Sequence, residues 1–376
     1  MLDCLGKGIT HFVIISAGFK ETGDDEGRLR ERSLSDIVAR SGIRIVGPNC
    51  LGIFDNISGV DTFFLPRNLI QRPRKGCVSI ASQSGSFVGH LMDLASTENL
   101  GIARVITYGN RVDVAESDAL DFFSRDPSSK VIGVYVEGVS DGSKFLKGLE
   151  AASENGKPVV ALKAGKYESL SSAITSHTGA IAGSYSAYGA AFRKTGVTEV
   201  DSLEEFIDTC KGFSLLRRAE GNRVLILGHA GGLGLALADS CISSGLVVPK
   251  LSAYLRKRVS RVTLPFATIT NPIDLTASGT DDQAESVLNL CLKDSGFDMA
   301  IYLALWGLPQ STERIGEIVS NSMRESEKPI VVATLSGKAC IERRHVFEDL
   351  GVPVFPSIGR AARVAAHLPK SVSRQS

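Results

Sequence analysis

Three short segments combine glycine, hydroxyl-bearing residues and histidine in a way that suits phosphate chemistry. They are residues 82–86 (Ser-Gln-Ser-Gly-Ser), 176–184 (Ser-His-Thr-Gly-Ala-Ile-Ala-Gly-Ser) and 231–234 (Gly-Gly-Leu-Gly). Where a strand is followed by a helix, free backbone N–H groups and the helix dipole attract anions. Small side chains allow the anion to approach, and hydroxyls donate further hydrogen bonds. The sequence therefore predicts loops that bind phosphate.

The middle segment places His177 among small and hydroxyl-bearing residues. These neighbours would let a bulky anion reach the imidazole, with Thr178, Gly179 and Ser184 offering hydroxyl or backbone N–H donors. No second histidine or cysteine lies nearby in the sequence, so no metal site is predicted. From residue types alone, the competing interpretation is that His177 has only a structural role or no specific role.

The other two segments have simpler alternatives. Ser84, Gly85 and Ser86 suit an anion site, but serine is also a favoured N-cap. Gly231 and Gly232 suit one too, but glycine there can serve close packing of helix on sheet. The full G-x-G-x-x-G fingerprint is missing, as is an acidic residue at the expected strand end, which argues against a nicotinamide dehydrogenase. We interpret His229, just before the glycines, as a hydrogen-bonded loop histidine.

A fourth loop, Gly47-Pro48-Asn49-Cys50-Leu51-Gly52, follows a predicted strand. Glycine and proline fix a turn there, and a turn at a domain junction is the plain interpretation. Cys50 as a nucleophile is an alternative, but no cysteine–histidine pairing is visible locally.

Short valine- and isoleucine-rich runs alternate with helical patterns along the chain. Several runs are apolar at successive positions, as expected of strands covered on both faces. Strand–helix–strand repetition predicts an α/β fold with doubly wound parallel sheets. The predicted strands are 11–16, 43–46, 77–81, 103–107, 131–136, 158–163, 223–227, 299–305, 329–334 and 352–355. The predicted helices include 27–40, 87–96, 116–123 and 203–216.

An internal repeat organises the sequence. Four motifs recur in the same order, among them Lys157-Pro158-Val159-Val160-Ala161-Leu162-Lys163 against Lys328-Pro329-Ile330-Val331-Val332-Ala333-Thr334. We predict two tandem domains, 71–217 and 222–370. Residues 1–70 hold two strands and one good helix, too little to close a doubly wound domain. We interpret them as the C-terminal remnant of a nucleotide-fold domain, with a small N-terminal extension as the alternative.

Composition and charge argue against several classes of protein. The 376 residues carry a formal net charge of +1, and no basic stripe predicts nucleic-acid binding. Seven cysteines without a CxxC pair indicate neither a disulfide framework nor zinc. Free cysteines, and the lack of a membrane-length apolar run or a signal-peptide pattern, favour a cytoplasmic location.

In combination, the motifs resemble a known family. The chain is similar to the α component of NDP-forming acyl-CoA synthetases, a group that includes ADP-forming acetyl-CoA synthetases and is related to succinyl-CoA synthetase. The resemblance covers nearly the whole chain and implies two flavodoxin-like domains after a partial Rossmann-type CoA-binding domain. The segments that carry it are 15–21, 47–52, 82–85, 108–110, 176–180 and 271–275.

The resemblance implies a reversible ligase. Phosphate attacks an acyl-CoA thioester to give an acyl phosphate and CoA, and a histidine then takes the phosphoryl group and releases the acid. By motif match, His177 is the phosphorylated residue and Glu137 the acid that orients it. A carboxylate on one ring nitrogen fixes the tautomer and leaves the other nitrogen nucleophilic.

The resemblance also implies the surroundings. A helix that begins with Ser84, Gly85 and Ser86 and the helix that follows Gly231-Gly232-Leu233-Gly234 would face the phosphohistidine. Gly47, Pro48 and Asn49 would lie near the acyl or phosphate site. The phosphoryl group would pass to ADP or GDP on an ATP-grasp partner, with ATP and magnesium bound there, so a hetero-oligomer or homodimer is expected.

Two departures from the family pattern leave an alternative open. The family's CoA-binding domain is incomplete in this sequence, and no ATP-grasp domains follow within it. The alternative is a non-catalytic binding or regulatory module of the same fold.

Overall fold

The computed structural model describes residues 1–167, 169, 185–335 and 337–369. Contacts between residues divide the chain into two compact units, Met1–Cys210 and Lys211–Ser376. His177, Thr178, Gly179 and Ser184, named above as candidate site residues, lie outside the described residues.

The first unit alternates strands and helices. Its strands are β1 (His11–Val13), β2 (Arg44–Val46), β3 (Ile53–Asp55), β4 (Val60–Asp61), β5 (Lys75–Ser82), β6 (Ile102–Thr107), β7 (Val131–Val136), β8 (Val159–Lys163) and β9 (Thr198–Val200). Its helices are α1 (Leu2–Leu5), α2 (Asp25–Ser41), α3 (Gly85–Thr97), α4 (Glu116–Arg125), α5 (Gly142–Glu154), α6 (Tyr185–Thr195) and α7 (Leu203–Leu215), the last of which runs on into the second unit. A 3-10 turn covers Lys20–Thr22.

The main sheet of this unit has the strand order β4-β3-β6-β5-β7-β8-β9. Strands β5 to β9 are parallel, and counted along the chain they follow the order 2-1-3-4-5 of flavodoxin-like sheets. Strands β3 and β4 add an antiparallel edge. This edge was not predicted, because its strands are two or three residues long and carry aspartates.

The second unit repeats this topology. Its strands are β10 (Val224–Gly228), β11 (Thr268–Ile269), β12 (Ile273–Asp274), β13 (Met299–Leu303), β14 (Ile330–Ala333) and β15 (Val354–Phe355), in the order β11-β12-β10-β13-β14-β15. Its helices are α8 (Gly231–Ser243), α9 (Ala253–Val259), α10 (Asp281–Leu292), α11 (Arg314–Ser326), α12 (Lys338–Arg343), α13 (His345–Glu348) and α14 (Ile358–His367). Apart from antiparallel β11, the order is again 2-1-3-4-5, so the predicted fold class is confirmed.

Burial explains why the central strands read as continuous apolar runs. All five residues of β10 and of β13 are buried, as are residues 78–82 of β5. Helices cover both faces of a doubly wound sheet, so neither face of a central strand meets water. The buried polar residues of β5 are bonded: the hydroxyls of Ser79 and Ser129 lie 2.6 Å apart, and the hydroxyl of Ser82 donates to the carbonyl of Ser84 at 2.8 Å.

The N-terminal residues form a small parallel β–α–β unit, in which β1 pairs directly with β2 and helix α2 connects the two strands. Asp24 caps the start of α2 by accepting a hydrogen bond from the backbone N–H of Gly27, and Gly42 ends the helix with a φ of 65°. These are the two strands and the helix that the sequence predicted there. They belong to the same compact unit as the first sheet, and the three-part domain division remains a prediction.

Gly109 lies where the N-terminal residues meet the first sheet. Its φ is +50°, and an added Cβ would lie 2.2 Å from the carbonyl oxygen of Asn49 and 2.3 Å from that of Pro48. The backbone N–H of Asn110 also donates to the Pro48 carbonyl at 2.9 Å. A residue without a side chain is therefore required at this contact between two backbones.

We expect Gly109→Ala to lower the free energy of unfolding by about 3 kcal/mol or more, because left-handed strain adds to a clash with backbone. Gly156→Ala is the matched control: its φ is +68°, but nothing lies within 4 Å of an added Cβ. That variant should lose only the conformational part, about 1 to 2 kcal/mol. Urea denaturation followed by far-UV circular dichroism measures both, and equal losses would contradict the proposed backbone clash.

Candidate functional site

A cavity of about 980 Å³ lies in the first unit, at the end of the sheet where β5 and β7 finish and α3 begins. Ligands of parallel α/β sheets collect at this edge, where the strand order reverses. The cavity brings together segments that are far apart in the sequence and that contain the predicted site motifs. Its lining includes Ile15, Ala17, Asn49, Cys50, Leu51, Gln83, Ser84, Gly85, Ser86, Gly109, Asn110 and Glu137.

The start of α3 forms one wall. Ser84 is the N-cap, and its hydroxyl oxygen accepts from the backbone N–H of Phe87 at 3.2 Å. The predicted N-capping therefore exists, while Gly85 and Ser86 also line the cavity. Gly85 packs closely, since an added Cβ would lie 3.2 Å from the Cβ of Leu51. The helix thus directs its first turn and positive dipole end toward the cavity, while phosphate binding there remains a prediction.

Glu137 follows β7 and lines the cavity, with only 8% of its surface exposed. Its side chain hydrogen-bonds the hydroxyl of Tyr135, two residues earlier. Burial, and then the charge of Glu137, raise the pKa of the Tyr135 phenol, so this hydroxyl stays protonated and able to donate. The ring of Tyr135 stacks on Phe87 of α3 with centroids 4.2 Å apart. The glutamate is therefore held against the helix that starts at the cavity.

Gln83 fixes the backbone on which Glu137 stands. Its Oε1 accepts from the backbone N–H of Glu137 at 3.3 Å, from that of Gly138 at 3.2 Å and from Nη1 of Arg111 at 3.4 Å. Three donors surrounding one atom identify it as the oxygen of the amide. Without this acceptor, the N–H groups of Glu137 and Gly138 would be buried at the strand end without this hydrogen bond.

Arg111 and Glu116 extend the support. The guanidinium of Arg111 donates to the carbonyl of Gly138 and lies 3.3 Å from a carboxylate oxygen of Glu116. The other oxygen of Glu116 accepts from the backbone N–H of Ser140 at 2.9 Å and from its hydroxyl at 3.2 Å. The turn from Glu137 to Ser140 is thus held by side chains from two other segments, and such support keeps a functional group in position.

Lys163 lies behind Glu137 at the end of β8, with 3% of its surface exposed. Its Nζ donates to the carbonyl oxygen of Glu137 at 2.8 Å and to that of Ala164, and it lies 4.9 Å from the ring centre of Tyr188. Burial lowers the pKa of Lys163, and the charge of Glu137 offsets part of that effect. The ammonium supplies positive charge beneath the cavity.

A second network joins the Asn49 loop to the N-terminal residues. Nδ2 of Asn49 lies 3.3 Å from Oδ1 of Asn110. Nδ2 of Asn110 donates to Glu21 at 2.5 Å and to Glu31 at 2.8 Å, and Nζ of Lys20 pairs with Glu31 at 2.7 Å. Segments 15–21, 47–52 and 108–110, which had carried the family resemblance, are therefore one connected structure.

Cys50 does not fit the nucleophile alternative. It is buried, and its thiol donates to the carbonyl of Ile14 at 3.3 Å. Burial raises the pKa of this thiol to about 11, so it stays protonated at neutral pH.

The corresponding loop of the second unit is built differently. Gly231 and Gly232 are the first two residues of α8, whereas the sequence predicted a helix that follows Gly234. An added Cβ on Gly231 would lie 2.7 Å from a carboxylate oxygen of Asp274. Nδ1 of His229 lies 3.1 Å from the carbonyl oxygen of Thr276, which agrees with a hydrogen-bonded loop histidine. Burial lowers the pKa of His229 and favours the neutral ring.

Sheet register shows which repeat carries the acid. Ser82 lies opposite Tyr135 and Gly228 opposite Leu303, so Glu137 corresponds to Leu305. Tyr135 lies opposite Leu162 and Leu303 opposite Ala333, so Lys163 corresponds to Thr334. The buried glutamate and lysine are therefore a property of the first repeat.

Sequence reasoning had named Glu137, Ser84, Gly85, Ser86, Gly47, Pro48 and Asn49, and of these all but Gly47 and Pro48 line the cavity. Gly47 and Pro48 support it from behind through their backbone carbonyls, which accept from Val112 and Asn110. The sequence reasoning missed Gln83, Arg111 and Lys163. Gln83 and Lys163 had a partial signal, since a polar or charged residue at the end of a buried parallel strand, or just after it, needs a partner, although the sequence does not show which. Arg111, four residues after β6, had no such signal.

Tandem doubly wound sheets, with a buried acid beside a cavity at the strand ends of the first, define an α/β protein built from two flavodoxin-like domains. A model of the succinyl-CoA ligase like flavodoxin domain matches residues 75–213, and one of the ligase-CoA domain matches residues 224–366. The chain therefore belongs to the family of NDP-forming acyl-CoA synthetases, as a component of the α type.

Named relatives agree with this family. The alpha subunit of an ADP-forming acetate–CoA ligase II from Pyrococcus furiosus is 32% identical over 359 residues, covering 94% of this chain and 77% of the relative. An ADP-forming acetate–CoA ligase I from Archaeoglobus fulgidus is 31% identical over 97% of this chain, which spans only 51% of that longer protein. The solved acetyl-coenzyme A synthetase 1 of Ca. Korarchaeum cryptofilum, in complex with phosphate and ADP, has a TM-score of 0.86 and 29% identity, covering 97% of this chain and 78% of its own.

Replacing Gln83 tests the support of the Glu137 backbone. We expect Gln83→Leu to lower the free energy of unfolding by about 1 to 3 kcal/mol, because buried donors on Glu137, Gly138 and Arg111 lose their acceptor. Gln83→Glu keeps an acceptor that can also pair with Arg111, and should recover most of that loss. Urea denaturation provides the measurement, and equal stability of both variants would contradict the role of the amide oxygen.

The Glu21 carboxyl is expected to make the stability of the protein depend on pH. Burial on its own would raise its pKa, but hydrogen bonds from Asn110 and from the amides of Phe19 and Gly18 outweigh it, and the net pKa is lowered. Glu21 therefore contributes stability that is present above the unfolded-state pKa of about 4.3 and is lost as the pH falls through the lower folded-state value.

We expect the stability difference between the native protein and Glu21→Gln to be largest near neutral pH and to shrink below about pH 4. Thermal denaturation at a series of pH values measures it. Glu26→Gln, at an exposed position of α2, controls for the loss of one surface charge. A difference that stays constant with pH would show that the carboxylate form is not what the Asn110 network stabilises.

Proposed function

We propose that this chain is the phosphoryl-carrying component of an acid–CoA ligase that forms ADP or GDP: a carboxylic acid, CoA and ATP are converted reversibly into acyl-CoA, ADP and phosphate. The phosphoryl carrier is His177. The observation that carries the proposal is the position of Glu137, buried at the end of β7 and lining one cavity with the first turn of α3 and the Asn49 loop.

The chemistry follows from what each group offers. Phosphate attacks the thioester carbon of acyl-CoA, the carbon–sulfur bond breaks, and an acyl phosphate and CoA thiol result. An imidazole nitrogen of His177 then attacks phosphorus, and the carboxylic acid leaves as its carboxylate. Glu137 accepts a hydrogen bond from the other ring nitrogen, which fixes the tautomer and stabilises the cation that forms. The phosphohistidine finally gives its phosphoryl group to the nucleoside diphosphate.

Charge at the site suits a dianionic phosphoryl group. The N-terminal turn of α3, with Ser84, Gly85 and Ser86, contributes the positive end of a helix dipole. The buried ammonium of Lys163, bonded to the carbonyl of Glu137 at 2.8 Å, adds a full charge behind the glutamate. Thr178, Gly179, Gly231 and Gly232 are proposed as further phosphate donors, and Gly47, Pro48 and Asn49 as the loop next to the acyl group.

The nucleotide step is assigned to an ATP-grasp partner that binds ATP, ADP and magnesium. Two observations support such a partner: the Pyrococcus relative is an alpha subunit, and the sequence resembles the α component of a family whose nucleotide step uses ATP-grasp domains. CoA is a substrate of the proposed reaction, not a resident cofactor. Among the described residues, no helix is long and apolar enough to cross a membrane; a cytoplasmic location is part of the proposal.

Phosphoryl transfer tests this function. The purified chain is incubated with an ATP-grasp subunit and ATP labelled at the γ-phosphate, and protein-bound label is tested for acid lability and alkali stability. We expect the native protein to be labelled and His177→Ala to carry no label. Labelling of Glu137→Gln should be at least a hundredfold slower, because the variant lacks the carboxylate that orients the histidine and stabilises its positive charge. His345→Ala, which removes an exposed histidine of the second unit, should label normally.

Equal labelling of the native protein and His177→Ala would overturn the assignment of the carrier. Native protein that binds an ATP-grasp subunit but takes up no label would favour the alternative, a binding or regulatory module of the same fold.

A further inference from the structure

The cavity does not end at the proposed phosphate site. It continues along α3, where Ser86, Gly89, His90, Asp93, Leu94 and Thr97 line it at the three- and four-residue spacing of one helix face. The helix spans Gly85–Thr97, so at about 1.5 Å per residue the groove extends roughly 18 Å from the first turn. A ligand with only two carbon atoms would occupy a small part of it.

The wall opposite α3 is apolar. Phe64, Leu65 and Ile70 line the cavity from the segment that follows β4, and Leu51 and Leu203 add to them. Gly89 lets this wall approach, since an added Cβ would lie 3.3 Å from Cδ1 of Leu65. Beyond the first turn of α3, the polar residues that line the groove are His90, Asp93 and Thr97, and they are exposed. This part of the groove therefore offers an apolar side with a polar outer rim.

The apolar wall is held in place by Arg72. Arg72 donates from Nη2 to the carbonyl of Leu65 and from Nη1 to that of Ile70, each at 2.8 Å. Its Nε pairs with Asp61 at 3.0 Å, and its guanidinium lies 5.5 Å from the ring centre of Phe63. The side chain of Arg72 is only 8% exposed. A buried arginine that ties both ends of a short loop makes a preorganised surface, and preorganisation lowers the cost of binding.

We propose, on the basis of the function proposed above, that this groove is the acyl pocket and that it selects carboxylic acids with a bulky apolar group, aryl or medium-chain alkyl, over acetate. The carboxyl carbon lies at the first turn of α3, where phosphate attacks, and the apolar group extends along α3 against Leu65, Ile70 and Leu94. A cavity of about 980 Å³ is at the upper end of the range for drug-sized ligands. Each methylene that it removes from water raises affinity about fourfold.

A series of acids tests the pocket. The chain and its ATP-grasp partner are assayed for acyl-CoA formation with acetate, butyrate, hexanoate and phenylacetate. CoA and ATP are common to all four reactions, so differences in kcat/KM report the acyl group. We expect kcat/KM to rise at least tenfold from acetate to hexanoate or phenylacetate.

Two neighbouring substitutions separate the pocket from general effects. Ile70→Trp fills the groove and should lower kcat/KM for hexanoate and phenylacetate at least tenfold, with little change for acetate. Leu69→Trp makes the same kind of change at a side chain that is 71% exposed and does not line the cavity, and should leave all four acids unaffected. If the tryptophan variant does not fold, Ile70→Ala replaces it in the test. This variant removes contacts without adding bulk and should lower kcat/KM for hexanoate several-fold.

The outcomes distinguish the two proposals. Turnover that is best with acetate, and unchanged in both Ile70 variants, would overturn the acyl-pocket inference and leave the ligase function standing. Absence of acyl-CoA with every acid, together with an unlabelled His177, would overturn the ligase function and the inference that rests on it.

Discussion

The site depends on the hydrogen bonds that the amide oxygen of Gln83 accepts from the backbone after β7. When β7 ends, the N–H groups of Glu137 and Gly138 no longer meet a neighbouring strand, although both remain buried. A buried donor without a partner costs more than one ordinary hydrogen bond contributes. Gln83, the first residue after the adjacent strand β5, supplies the missing acceptor. The next residue, Ser84, caps α3, so the residue that supports the acid and the residue that starts the helix are neighbours in the chain.

The constraint spreads outward from Gln83 because its other donor, Arg111, is itself buried and charged. A buried guanidinium requires a counter-charge, and Glu116 provides it at 3.3 Å. Glu116 in turn holds Ser140, at the far end of the turn that Glu137 begins. Arg111 follows Asn110, whose amide connects to Glu21 and Glu31 in the N-terminal segment. The N-terminal residues are therefore bound into the site through polar groups and not only through apolar packing.

Much of this arrangement was predictable from the sequence, and the limits have physical causes. Long parallel strands were found because burial on both faces makes them continuously apolar. The short edge strands β3 and β4 were missed because two or three residues with an aspartate look like a turn. Site residues within local motifs, such as Ser84 and Asn49, were found. Gln83 and Arg111 were not identified, because a side chain that bonds across 54 or 27 positions leaves no local spacing to detect.

The second repeat shows that the fold by itself does not make the site. Both sheets have the order 2-1-3-4-5, and both place a glycine at the start of the first helix. Yet leucine and threonine take the positions of Glu137 and Lys163, and His229 takes that of Gln83. His229 bonds the carbonyl of Thr276, just after the adjacent strand β12, whereas Gln83 accepts from backbone N–H groups just after β7, on the other side of the first strand. A duplicated sheet provides an edge where ligands can bind, and the few polar residues at the strand ends decide what chemistry that edge supports.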